Sequence, residues 1–297
     1  MIEVFDPRSV RRHRTRAARH PDQADFLVRE AADRLAERLE EVSRTFPLAL
    51  DLGCRDGLLA GALQGRGGIE TLVSADPSPN FAALAPGPAL ALEPEALPFA
   101  PGTFDLVMSA LALHWVNDLP GALLQLRQAL KPDGLLVVSL LGGETLHELR
   151  EALMEAEIEE EDGASPRVSP FADGRDLGGL LQRAGFALPV VDSDTVTATY
   201  ADALGLMRDL RAMGETNAVK ERRKTFTRRA TLARAAAIYQ EKFGQADGRI
   251  PASFQIITLT AWAPHESQPK PLRRGSATTR LADALGGVEK PAGEKAP

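Results

Sequence analysis

The spacing of apolar residues changes period along the chain. Between residues 22 and 43, Phe26, Leu27, Ala31, Leu35, Leu39 and Val42 recur at steps of three and four. That spacing predicts a helix, ended before Pro47. From 48 to 141 short apolar runs take over: LALDL (48–52), TLVSA (71–75), FDLVMSALAL (104–113) and LLVVSLL (135–141). Helical stretches separate them, most clearly residues 119–130. Continuous apolar strands alternating with helices indicate a mostly parallel sheet covered on both faces, an α/β fold. KPDG (131–134) reads as a turn that ends a helix and starts a strand.

Further on, ETLHELREALMEAEIEEED (144–162) predicts an acidic helix with a solvated face. DLGGLLQRAGF (176–186) predicts a short helix capped by Gly185, and 188–197 and 253–262 predict two more strands. Residues 201–250 between those strands form a mostly helical insertion, whose stretch KERRKTFTRRATLAR is the most basic of the chain. The expected layout is an arm and N-terminal helix over 1–45, one α/β domain over 46–263, and a disordered tail over 264–297, where Pro, Gly, Ser and charge dominate.

Composition narrows the classes. The chain has 297 residues, 44% of them hydrophobic, and a net charge of −6. Its one cysteine, Cys54, excludes an internal disulfide framework and a cysteine-based metal cluster. No apolar run is long enough to span a bilayer, and the N-terminus has no signal-like apolar core. Acidic balance argues against nucleic acid as the main ligand. Only Phe226 and Tyr239 lie near the basic stretch, too few aromatics for RNA binding. Residues 7–20 hold six arginines, two histidines and no acid. They read as a solvated arm, with docking to an acidic partner or anionic lipid as the alternative. The expectation is a cytoplasmic protein, with that arm as the candidate contact at the inner membrane.

The sharpest chemical signal is LALDLGCRDGLLA (48–60). A buried strand ends at Asp51-Leu52-Gly53, and Gly57 opens a helix after a tight turn that lets a ligand approach the main chain. Asp76 ends the next strand, at the spacing where a carboxylate accepts both hydroxyls of a ribose. With the acid before Leu-Pro-Phe (Glu93) and Phe-Asp-Leu-Val (104–107), this order resembles the class I S-adenosylmethionine-dependent methyltransferases over residues 45–145. The resemblance implies a Rossmann-like fold of seven strands and S-adenosyl-L-methionine as cofactor. It implies a methionine site at the glycine turn (Asp51, Gly53, Arg55, Gly57), a ribose site at Asp76 and Pro77, and an adenine site at Glu93, Pro94, Ala110 and His114.

A wider set of motifs resembles the complex I assembly factors that hydroxylate an arginine of a quinone-site subunit of NADH:quinone oxidoreductase. It includes FPLALDLGC (46–54), LHWVNDLP (113–120), GGETLHELR (142–150), SPFADGRDLGGLLQRAGF (169–186), DLRAMGETN (209–217) and HESQPKPLRRGSAT (265–278). The missing targeting segment suggests a bacterial counterpart. The resemblance implies a complex I subunit as partner, and its motifs put Glu144, Glu215, Asn217 and His265 on the substrate side. His114 and Trp115 are catalytic candidates because they follow the fourth strand, the edge where this fold places its ligands, with packing as the alternative for both. No metal-binding set is expected, so hydroxylation rests on the resemblance alone. The malonyl-carrier-protein O-methyltransferases of biotin synthesis are similar too, which leaves methyl transfer open, and a non-catalytic assembly chaperone remains a third reading.

Two positions depart from the methyltransferase pattern. Arg55 replaces the middle glycine of the turn, at a cost on the order of 1 kcal/mol if φ is positive there. Its guanidinium would then either reach the cofactor carboxylate or repel the sulfonium. Pro94 removes a backbone N–H that the family offers to adenine. Both suggest weakened cofactor binding.

Overall fold

The structure is a computed structural model that describes residues 3–269 together with residues 279, 283 and 286. Seven strands form one sheet in the order β3-β2-β1-β4-β5-β7-β6. They are β1 (Leu48–Leu52), β2 (Thr71–Asp76), β3 (Ala89–Ala91), β4 (Phe104–Ala110), β5 (Leu130–Leu141), β6 (Ala187–Tyr200) and β7 (Ile250–Trp262). Only β7 runs against the rest, pairing antiparallel with both β5 and β6. The strand order reverses between β1 and β4, so the crevice beyond their carboxyl ends is where such a sheet takes its ligands.

Two apolar layers cover the sheet. One holds Leu27, Leu35 and Leu39 of α2 (Phe26–Glu40). It also holds Leu149 of α6 (His147–Glu161), Leu206 of α8 (Ala203–Met213) and Ile238 of α9 (Arg229–Phe243). The other holds Leu123 and Leu126 of α5 (Leu119–Ala129) and Leu177 and Leu181 of α7 (Gly174–Arg183). Local chemistry sets several helix ends. The Asp118 side chain accepts from Gly121 N at 2.9 Å to start α5. Asp202 does the same for Gly205 N at 2.6 Å to start α8, and Gly214, at φ +84°, ends it.

The structure differs from the sequence reading in four places. The short edge strand β3, three residues long with its first and last exposed, is not among the strands expected from the sequence. KPDG lies inside β5 as an irregularity: Phe104 pairs with Leu130 and Leu106 with Leu135, with Asp133 at φ +64° between them. The acidic helix is not simply solvated, because Glu148 and Glu157 are buried. The arm is also not solvated: Pro7–Ala17 forms helix α1, capped by Asp6, with Ser9, Val10, His13, Arg14 and Ala17 buried. Val10, His13, Arg14 and Ala17 follow helical spacing, which carries one face of α1 inward.

Residues up to Pro264 form one compact unit and His265 onward a second. In the second, His265 Nδ1 lies 2.8 Å from the Ser267 hydroxyl. Most of the expected tail, including the arginines and RGSAT of its motif, lies outside the described residues. Among the described residues no helix is long and apolar enough to cross a membrane.

Candidate functional site

The glycine turn leaves β1 under tight constraint. Gly53 N donates to Ala75 O at 2.6 Å and Cys54 N donates to the same oxygen at 3.0 Å. Gly53 has φ +84°, and a Cβ there would meet the Ala112 Cβ at 2.2 Å. Gly57 has φ +90°, and a Cβ there would meet Pro86 Cδ at 2.4 Å. Neither position accepts a side chain. Arg55 does occupy a positive φ, +52°, as its place in the turn suggested. Its guanidinium turns away from the turn: Nη1 donates to Met213 O at 2.7 Å, and Cζ lies 4.8 Å from the Phe81 ring centre.

The carboxylates of the turn differ sharply. Both oxygens of Asp51 are buried without a hydrogen-bond partner. Burial, then the nearby Asp76 charge, push the Asp51 carboxyl up to about 8, against a smaller opposing pull from Arg14. Asp76 is equally buried but fully engaged. Its Oδ1 accepts from Ser78 N at 2.8 Å and Arg14 Nε at 3.1 Å. Its Oδ2 accepts from Arg55 N at 3.1 Å and Arg14 Nη2 at 2.5 Å. Burial by itself would lower the Arg14 pKa; the charge and hydrogen bonds of Asp76, with the Glu215 charge, together outweigh it and hold the pKa above its ordinary value.

A cavity of about 190 Å³ adjoins this turn. Pro77, Glu93, Pro94 and Ala112 line it from the sheet side, and Val10, Arg11 and Arg14 of α1 from the other. Arg11 Nε donates to Glu93 Oε1 at 3.1 Å. Ala110, buried at the end of β4, is not among the lining residues. Glu93 and Glu95 are the carboxylates of its lining, whereas Asp51, Gly53, Arg55, Gly57, Asp76 and His114 are not among the lining residues. Cleft and adjoining turn together suit an adenosyl amino acid, with the unpartnered buried Asp51 matched to a cationic amino group.

Trp115 also lines a second, larger cavity of about 460 Å³. Its walls are mostly apolar, among them Leu146, Leu149, Phe171 and Met207, with Glu215 as the buried acid. One oxygen of Glu215, Oε2, receives His114 Nε2 at 3.0 Å and Trp115 Nε1 at 3.0 Å. Burial would push the Glu215 carboxyl up, but His114, Arg14 and Arg55 outweigh it and hold the carboxyl below the ordinary range. An ionised Glu215 makes Nε2 the protonated nitrogen of His114. Its Nδ1 is buried without a hydrogen-bond partner. Arg55 holds the carbonyl of Met213, two residues before Glu215, so the glycine turn is tied to the segment that carries this carboxylate.

The structure thus brings His114, Trp115 and Glu215 together. Asn217 lines the same cavity, but both ends of its amide are used: Nδ2 donates to Pro166 O at 2.7 Å and Oδ1 accepts from Val219 N at 2.9 Å. Glu144 is exposed and stands outside the cavity lining. Sequence reasoning missed Arg14, which was folded into a charge run. Its signal was the helical spacing of Val10, His13, Arg14 and Ala17. His20 and Asp22 are spaced like an iron-binding pair. Both are exposed, and among the described residues no group of three or more His, Cys, Asp or Glu is placed to hold a metal.

Residues 13–189 match the family described as methyltransferase domain. The chain is 44% identical to the arginine-hydroxylase NDUFAF5, mitochondrial, of Danio rerio, over 95% of this chain and 89% of that protein. It is 37% identical to a malonyl-[acyl-carrier protein] O-methyltransferase of Xylella fastidiosa, over 89% of this chain and 90% of that protein. Among solved structures, the YcgJ protein of Bacillus subtilis superposes with a TM-score of 0.54 at 13% identity, covering 78% of this chain and 98% of that one.

Proposed function

The chain belongs to the methyltransferase-domain family and is an enzyme of the class I S-adenosylmethionine-dependent superfamily, and from that premise we propose that it acts in assembly of respiratory complex I by hydroxylating an arginine of a quinone-site subunit. The observation that carries this reading is the buried, ionised Glu215 in a largely apolar cavity, together with near-full-length likeness to an arginine hydroxylase. A guanidinium on a three-carbon stem needs apolar walls and one fixed carboxylate.

S-adenosyl-L-methionine, held at the glycine turn, would supply an electrophilic sulfonium. Asp51 would take its amino group and Asp76 its ribose hydroxyls. Glu93 faces the adenine end, where Pro94 presents no N–H. Trp115 and His114 hold one oxygen of Glu215, which leaves the other for the substrate. His114, which lies outside the cavity lining, acts by orienting the Glu215 carboxylate. Hydroxylation replaces a C–H bond by C–OH, so dioxygen and a two-electron donor must come from outside the chain.

Methyl transfer to a carrier-bound malonyl carboxylate is the second reading. Arg211 favours it, because it lines the same cavity without an acidic partner among the described residues. Mass spectrometry of the quinone-site subunit from a deletion strain separates the two. The arginine should lose one oxygen atom of mass, regained with the wild-type gene but not with Glu215→Ala. An unchanged arginine combined with biotin auxotrophy would transfer the case to the carrier-protein reading.

A further inference from the structure

Asp76 offers two oxygens, and four donors hold them: two backbone N–H groups and two N–H groups of Arg14. A carboxylate has about four lone-pair sites, so its acceptor capacity is used up. The ribose diol of an adenosyl cofactor needs both oxygens. The amides of Arg55 and Ser78 are fixed in the chain's turns, so Arg14 is the donor that must give way. It sits in the interior, 2% exposed, on a helix whose neighbouring side chains are also buried. Releasing it there without a new anion would leave an uncompensated buried charge.

A new anion is at hand on the cofactor. Arg14 Nη2 lies 3.4 Å from Gly53 O, at the turn that carries the amino-acid end of the cofactor in this family. That end brings one carboxylate and one ammonium. Asp51, buried and unpartnered, matches the ammonium. Arg55, the other cation of the turn, is committed to Met213 O and Phe81. Resting on the cofactor reading above, we propose that Arg14 is a cofactor-binding residue that changes partner. It holds Asp76 in this structure, and passes to the α-carboxylate of the cofactor when the ribose claims Asp76. The helix that reads as a charged arm in the sequence is then part of the cofactor site, and its docking and cofactor binding share one side chain.

The test is calorimetry on the full chain with two ligands. S-adenosylhomocysteine carries the nucleoside and the amino acid; 5′-methylthioadenosine carries the nucleoside alone. Arg14→Gln should weaken S-adenosylhomocysteine at least about tenfold, the loss expected for a charge-assisted pair. It should leave methylthioadenosine unchanged or tighter, since Asp76 is freed. Arg14→Lys keeps the charge without the fork and should lose only part of the S-adenosylhomocysteine affinity; it serves alone if Arg14→Gln does not fold. Equal weakening of both ligands would reduce Arg14 to scaffolding, and tightening of both would make it a plug only. Either result overturns the proposal. Unchanged binding in both variants overturns it while sparing the cofactor reading, whereas a wild type that binds neither ligand overturns both.

Discussion

Around the glycine turn, Arg14, Arg55, Asp51 and Asp76 are all buried, each within reach of another's field. Between α6 and its basic neighbours the charges are as dense, but most of them keep contact with solvent. There Glu159 meets Arg234, Glu161 meets Arg223, and Glu151 and Glu155 share Lys242. The two basic segments of the chain, 7–20 and 220–234, look alike in sequence, yet one enters a cleft and the other is neutralised by a neighbouring acidic helix. The carboxyls diverge accordingly. Burial pushes Asp51 up, whereas hydrogen bonds from Thr231 and Arg223 lower Glu161, and a hydrogen bond from Arg234 lowers Glu159. Charge density in a sequence therefore says little; the solvent each charge keeps decides its worth.

The sharpest way to break this contrast is Asp76→Ala, which strands the Arg14 guanidinium. Urea unfolding should show a loss of about 3–5 kcal/mol, the usual cost of orphaning a buried ion. A loss under about 1 kcal/mol would mean that water reaches the pair and that the two regions are not different in kind.

Next in size is the pH response. Asp51 has a raised folded pKa, so between its ordinary value and about 8 the folded state holds a proton that the unfolded state has lost. Stability then falls as pH rises, by about 1.4 kcal/mol per unit in that window. His13, lowered to about 4 by burial and then by Arg16, costs stability only as pH falls below 6.5. Glu159 and Glu161 titrate below 4.5. Melting curves of the ligand-free protein between pH 6.5 and 8 therefore isolate Asp51. The wild type should melt lower at the alkaline end, and Asp51→Asn should be flat. A flat wild-type profile would count against a buried, proton-holding Asp51.

Glu157 lies between the two extremes. It accepts from Arg167 Nε at 2.7 Å and from Ser165 N at 2.7 Å, and Arg167 in turn lines the cavity that holds Glu215. Glu157→Gln should lose about 1–2 kcal/mol in the same urea assay. Smallest of all, Arg234→Ala on the exposed network should leave the melting temperature within error. A clear fall there would show the surface network acting as a unit.

The cofactor half was readable because its physics is local. LALDL became β1 without adjustment, since a buried parallel strand needs an unbroken apolar run and Gly53 must follow it. Gly57 and Asp76 were placed by their position relative to that strand, and Glu93 by the family resemblance of the segment before Leu-Pro-Phe. The Arg55 conformation was also foreseeable from the turn, although its contact with Met213 was not, because 158 residues separate the two. The substrate half depends on such distant meetings. Glu215 was singled out by its motif, but its bonds to His114 and Trp115 join a loop after β4 to the end of α8. Asn217 and Glu144 shared motif status with Glu215 and part from it only in three dimensions. β3 was invisible because three residues with an exposed first and last member carry no pattern.

Cys54 sits inside the turn itself, 3% exposed, with its Sγ donating to Arg55 O. Burial first, then Asp51 and Asp76, push its thiol pKa well up, so it stays protonated and slow toward peroxide or iodoacetamide. The chain contains no other sulfhydryl to confuse the signal. Alkylation of this protein is therefore a clock: its rate reports how often the glycine turn opens to solvent. A ligand that seats in the turn should slow that clock in proportion to its occupancy, without any label or engineered probe.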